Sequence, residues 1–513
     1  MSTFLAPIDK GFAWNQVAAR HLLNRAGFGV PLSKVDEMVS AGPTQCVGAL
    51  VEYEHFDDNL EATDFVTSLA EYAEKRRALA GLTPEERQRA NNEIQRQQRQ
   101  EIEKLKGWWI GAMVNTTRPL QEKMALFWHG HFATSAQEIK QPIHNLQLNT
   151  VFRTHATGNF RELVFAVGKT PAMLEYLDNK SNRKGSPNEN WARELMELFT
   201  MGIGNYTEAD IKEAARAFSG FTERGGEFYF DEKNHDFGSK TFLGRTGEFD
   251  GKDVVDIIFE QPETARFISR KIWQYFAYEN PSDELVTELA AVFRGANYEL
   301  KPLLRAIFLS REFYSTRAMQ GQIKSPAQYI VMLAGQLGYG VPRAELVSLA
   351  MRGLGQDLFY PPNVKGWPGN RAWINTNTLL LRYNIPAYIL VGERPPQGRT
   401  LALDEVAPAR EMAEGEDTPA ARRARVAAKR TPRPADVIAH YRPLQGKTAT
   451  QVVDSLAWTF LGRPITPTQR ASVAQVLMGG PDTNAVLTAA SYDNTRAASA
   501  LHLLLSTPEY QLC

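Results

Sequence analysis

Cysteine is nearly absent: Cys46 and Cys513 are the only two in 513 residues, so neither a disulfide framework nor a thiolate metal cluster can be built. An excess of charge of one sign is lacking too. Lysine plus arginine and aspartate plus glutamate number 58 each, which leaves no net field to draw the chain onto nucleic acid or anionic lipid, and no nucleic-acid partner is expected. No window approaches 18 consecutive apolar residues, so no transmembrane segment is expected. The opening MSTFLAPIDKGFAWNQ has no basic start, continuous apolar stretch or small-residue cleavage site; it reads as cytoplasmic as written, or exported if a signal sequence has been removed. No G-x-S-x-G elbow occurs, and neither cysteine has activating neighbours, which argues against a serine or cysteine nucleophile. Lys240 and Lys365 sit in the glycine-containing stretches HDFGSK and NVKGW, but neither has the spacing of a phosphate-binding P-loop.

What is present is an ordinary globular balance, 43% hydrophobic and 23% charged, with apolar residues at helical spacing through most of the chain. A helical main domain is expected over 1–400. The Ala-, Arg-, Glu- and Pro-rich stretch 407–433 reads as a flexible linker, and 434–513 as a helical C-terminal segment. Within the main domain, 60–106 is highly charged and reads as an inserted, projecting helical hairpin whose second helix opens on a capping box, Thr83 with Glu86, and Pro84. Leu120, Met124 and Phe127 mark an amphipathic helix ending at His129-Gly130-His131. A helix from Ser186 to Gly202 and another capped by Thr207 and Asp210 follow. Gly225, Gly226 and the alternating Phe228 and Phe230 place a β-hairpin in 221–250. Further helices are expected near 253–278, 282–295, 300–314 and 324–338, and the Pro/Gly-rich loop 355–384 cannot become helical before about Thr376. The expected fold is mainly α: a multi-helical globular body with a small β-hairpin, a projecting helical hairpin and a helical C-terminal segment.

Several polar residues have spacings that chemistry could use. At 100° per residue, a helix over 189–201 gathers Glu189, Arg193, Glu194 and Glu197 in one arc opposite Trp191, Leu195 and Leu198. Carboxylates flanking a guanidinium are how a catalytic acid and base are set apart, although a solvated face with ion pairs has the same pattern. His129 and His131, two apart in an irregular or extended segment, converge on one ion, with Glu122 orienting a ring and His235 and Asp236 completing a divalent-metal site. Hydrogen-bonding or acid–base roles are the alternative for these histidines. Trp367 and Trp373, on the Pro/Gly loop with Arg371, suit the wall of a pocket for a small-molecule or carbohydrate-like ligand, with Lys240 and Arg25 as further ligand contacts. Arg25, with His21 and Asn24, also reads as a buttress for the glutamate-rich helix.

The stretches HLLNRAGFG (21–29), FWHGHF (127–132), NENWARELMELFTMG (188–202), YTEADIKEAARAFSGF (206–221) and HDFGSKTFLG (235–244), with the 355–384 loop, resemble the uncharacterised bacterial family called domain of unknown function 1800. The resemblance implies a helical fold. It also implies frequent export and a protein partner encoded nearby, from a second uncharacterised family that looks sulfatase-like. The residues themselves lean toward an enzyme, a hydrolase or group-transfer catalyst, in a Glu/Arg/His pocket. The alternative is a non-catalytic binding or assembly protein whose polar motifs are structural ion-pair networks.

Overall fold

A computed structural model of the chain describes residues 4–8, 11–29, 32–338, 344–391, 437–488 and 494–513. The linker expected at 407–433 lies outside the described residues.

The helix starts are local events written into the sequence. Proline occupies the first turn of Pro43–Val51, Pro84–Asn115, Pro119–His131, Pro142–Thr154, Pro171–Tyr176, Pro262–Phe276, Pro326–Leu337 and Pro467–Met478, where its missing N–H is no loss and its fixed φ suits the helix. The capping boxes Thr83/Glu86 and Thr207/Asp210 both form, each worth about 1 kcal/mol. The helix expected from Ser186 instead begins at Asn190, because Ser186 pairs with Arg183 in an isolated bridge and the chain stays irregular through Asn188. After Glu194 the helix widens into a π turn, Leu195–Thr200. The Pro/Gly loop stays irregular, apart from the 3-10 turn Asn370–Trp373, until the helix Thr376–Val391.

The protein is mainly α. Two antiparallel hairpins are the only sheets among the described residues: Phe221–Arg224 with Glu227–Phe230, and Lys240–Phe242 with Arg245–Gly247. One hairpin was expected; the second comes from a stretch too short to show alternation. Gly225 and Gly226, both at positive φ, make the first turn, whose twist matches its strands.

The charged hairpin consists of Leu69–Ala78 and Pro84–Asn115. Its second helix runs past the expected end at 106 and enters the body, burying Ile102, Leu105, Trp109 and Ile110. There Lys106, 2% exposed, pairs with Asp357 at 2.6 Å. One principal apolar core extends from Ala18 to Tyr510. Residues beyond 437 pack onto it: Asn494–Leu505 lies against Thr376–Val391, Arg20 Nη1 donates to the Thr459 carbonyl at 2.9 Å, and Leu512 forms a β-bridge with Ile323. Among the described residues no helix is long and apolar enough to cross a membrane.

Candidate active site

The segment Asn190–Glu194 and its π continuation have an apolar and a charged side. Trp191, Leu195, Met196 and Phe199 are buried. The four charged residues expected on the other side divide into two sets. Arg193 pairs with Glu189 at 3.1 Å and with Glu208 at 2.9 Å. With the Glu208 side chain 70% exposed, such a pair contributes about 0–1 kcal/mol.

Glu194 and Glu197 form the second set. Glu194 is half-buried, and its carboxyl takes no hydrogen bond from a described residue. Burial and then the charge of Glu197 push its pKa up, while Lys365 and Arg193 pull it down. Glu197 accepts a hydrogen bond from the Tyr206 hydroxyl at 3.2 Å. Burial and that carboxylate push Tyr206 up to about 12, so it keeps the proton it donates. Tyr176 is also raised to about 12, by burial and then by Glu138 and Glu194. Two carboxyls with unlike surroundings therefore stand together.

The last carbonyls of the π turn are bound from outside it. His131 Nε2 donates to Phe199 O at 3.0 Å, while Lys271 Nζ donates to His131 Nδ1 and to Leu198 O, each at 3.2 Å. A cation at a helix C-terminus is electrostatically favourable. Burial, then the Lys271 charge, hold His131 well below the usual histidine range, and burial brings Lys271 down to about 8. His131 is a neutral positioning residue for the glutamate segment. Lys271→Met is expected to lower stability by about 1–2 kcal/mol and to speed amide exchange across 196–202 in deuterium-labelling mass spectrometry, relative to the rest of the chain.

At the N-terminal end of this segment lies an open cavity of about 690 Å³, walled by residues that include Lys180, Asn182, Arg183, Asn188, Glu189 and Asp231. Its asparagines are held in place. Asn188 N–H donates to Asn182 Oδ1 at 3.0 Å, and Asn182 Nδ2 donates to Ala215 O at 2.8 Å. Amides, hydroxyls, carboxylates and two cations converge here, as recognition of a polyhydroxylated ligand requires. Glu189 stands on the cavity wall, whereas Glu194 and Glu197, further along the same segment, are not among the residues that line it.

The expected metal set is not assembled. His129 and His131 lie inside Pro119–His131, where residues two apart point about 200° from each other, so their rings cannot converge as in an extended segment. His129 Nε2 accepts the Phe359 N–H at 3.0 Å, and burial pushes its pKa down to about 3. His235 Nδ1 donates to Ser219 O at 2.8 Å. Asp236 pairs with Arg216 at 2.8 Å, which brings it down to about 2. Among the described residues no group of three or more His, Cys, Asp or Glu is placed to hold a metal ion. Glu122 does not orient His129 either; it is buried against Arg153 and accepts the Trp109 Nε1–H at 3.0 Å.

Of the expected ligand contacts, Lys240 and Arg25 are 1% exposed. Lys240 Nζ binds the carbonyls of Asp236 and Gly238, and Arg25 donates to Ala318 O at 2.6 Å. Both are anchors within the fold, and Arg25 does not buttress the glutamate segment. Trp373 is buried and Arg371 exposed. Trp367, partly buried, packs on His129 with ring centroids 5.4 Å apart, and the same loop brings Lys365 within electrostatic reach of Glu194. Tyr206, Lys271 and Lys365 were not among the expected site residues. Tyr206 and Lys365 nevertheless fall in the stretches YTEAD and NVKGW, where a tyrosine and a lysine beside motif residues were the available signal.

No curated protein and no solved structure matches the chain. The family described as "Protein of unknown function (DUF1800)" matches residues 21–512, nearly the whole chain, and the protein belongs to that family.

Proposed function

We propose that the protein is an acid–base enzyme of the hydrolase or group-transfer class, acting on a polyhydroxylated, carbohydrate-like small molecule. The pairing of Glu194, its pKa raised, with Glu197, held by Tyr206, carries this reading, and the polar cavity that reaches Glu189 suggests the substrate class. Glu194 is half-buried, takes no hydrogen bond from a described residue and holds its proton to higher pH. It gives that proton to the departing oxygen as the scissile bond breaks. Glu197, oriented by Tyr206, takes the proton of the attacking water or acceptor hydroxyl. Lys365 offsets the negative charge that Glu194 is left with.

The test is a panel of chromogenic glycosides and esters offered to the wild type, Glu194→Gln and Glu197→Gln. Each variant should lose about 10²–10⁴-fold in kcat/KM on any substrate found. The wild-type rate should fall as pH climbs through the raised pKa of Glu194. Glu194→Gln keeps the shape and removes like-charge crowding, so its melting temperature should hold or rise. Undiminished turnover in both variants would sink the assignment. The assembly reading instead requires Glu194→Gln or Arg193→Met to destabilise markedly, and the exposure of the Arg193 pairs argues against that.

A further inference from the structure

Five basic side chains are buried in the body, and among the described residues none of them makes a direct ion pair with an aspartate or glutamate. Arg20, Arg25, Lys123, Lys324 and Arg382 are each 5% exposed or less. They come from Gln16–Ala26, Pro119–His131, the residue two before Pro326, and Thr376–Val391. Among the described residues the carboxylate side chain that acts on the group is Asp36, and it acts on Arg20 alone.

Their donors meet carbonyl and amide oxygens, and only in part. Arg25 Nη2 binds Ala318 O at 2.6 Å, Lys324 Nζ binds Tyr510 O at 2.5 Å, and Arg382 binds Lys324 O at 2.7 Å and Gln511 Oε1 at 3.3 Å. Arg25 Nε and Nη1, Arg382 Nε and Arg20 Nη2 are buried without a hydrogen-bond partner among the described residues. The Lys123 ammonium has no hydrogen bond to a described residue and lies 5.2 Å from the ring centroid of Phe28 and 5.5 Å from that of Tyr275. The groups act on one another electrostatically: Lys123 with Arg25, and Lys324 with Arg382 and Arg20. Arg25, Lys123, Lys324 and Arg382 share one counter-charge among the described residues, at Cys513.

An unpaired buried ion costs several kcal/mol, and an unsatisfied buried N–H about 1–3 kcal/mol more. A fold of ordinary stability, about 5–15 kcal/mol, cannot carry the four cations Arg25, Lys123, Lys324 and Arg382 on the one counter-charge they share. Burial brings Lys123 down to about 8 and Lys324 to about 7, so the lysines can shed protons. The guanidiniums cannot, and their orphaned N–H groups would remain. A small oxyanion supplies both the missing charge and several acceptors. We propose that Arg25, Lys123, Lys324 and Arg382, around Cys513, form an internal site for a tetrahedral oxyanion of the phosphate or sulfate type, bound as a counter-ion within the fold and separate from the glutamate site.

The direct test is release of bound anion from the purified full-length protein by acid, quantified by ion chromatography, which also tells phosphate from sulfate. About one oxyanion per chain is expected. Melting in phosphate or sulfate against chloride at equal ionic strength should show a saturable rise of about 3 °C, as binding to the native state alone produces. Lys123→Gln and Lys324→Met should each abolish that rise and melt below the wild type, whereas Lys180→Gln/Arg183→Gln in the open cavity should keep it. A wild type with no releasable oxyanion and no phosphate- or sulfate-dependent rise overturns the proposal. So does a Lys123→Gln or Lys324→Met chain that melts above the wild type, because an empty cluster is relieved by losing a charge. If neither variant folds, the anion count and the melting rise of the wild type decide.

Discussion

Gly366→Ala is expected to destabilise the protein by about 3–5 kcal/mol, among the largest effects of any single methyl group in this chain. Gly366 has φ +76°, where an L-residue costs about 1–2 kcal/mol, and a Cβ there would fall on the carbonyl of Gly130. That carbonyl belongs to the helix Pro119–His131 and cannot retreat without moving His129 and His131 with it. Gly369→Ala is the control: it has the same φ, +76°, but open space around its Cβ, so only the backbone strain should appear, about 1–2 kcal/mol. Midpoints of urea unfolding compare the two directly. Equal midpoints would show that the close approach of the loop to the helix is not maintained in solution. The loop shift should also move Lys365 away from Glu194, which raises the Glu194 pKa further and carries the fall of any rate with pH to higher pH.

The second large effect is acid lability. His129 is buried and neutral, with its pKa brought down to about 3 from an ordinary value near 6.5. The unfolded chain therefore binds the proton first as pH falls. Stability is fully present above about pH 6.5, is lost from there down to about pH 3, and changes no further below that on account of this group. Over the whole window the shift amounts to about 5 kcal/mol for His129, and about 2 kcal/mol of that is gone by pH 5. His21 and His131, also buried and pushed well below the usual range, act in the same direction. Together they should bring on global unfolding between about pH 5 and pH 4, followed by tryptophan fluorescence. His129→Gln offers an amide oxygen to the Phe359 N–H without a titrating group, so its acid midpoint should lie clearly lower. A midpoint shared with the wild type would mean that His129 is not the buried neutral group described.

What the sequence made legible was local. The capping boxes Thr83/Glu86 and Thr207/Asp210, the Gly225-Gly226 turn and the helix start at Thr376 each depend on a few adjacent residues, and each formed where its spacing places it. The glutamate segment was legible as a charged face, but not its division. The last carbonyls of the π turn are bound by His131 and Lys271, which reach Phe199 and Leu198 from distant parts of the chain. The metal reading rested on taking His129 to His131 as extended, and a helix reverses that conclusion by pointing the rings apart. Lys123 offered a clue in hindsight, since at helical spacing it shares a face with Phe127, where a charged residue is out of place.

The bridge from Ile323 to Leu512, with the Cys513 N–H on Gln322 O at 3.0 Å, sets a timetable for biosynthesis. At about 5–20 residues per second, the ribosome needs about 10–40 s to travel between the two strands of that bridge. Throughout that interval the neighbourhood of Lys324 and Arg382 lacks Tyr510 and Gln511, so the centre of the body cannot close before those residues have been added. Nascent chains stalled short of residue 510 should therefore remain bound to holding chaperones, whereas chains in which residues 510–512 have emerged from the ribosome should fold as a unit.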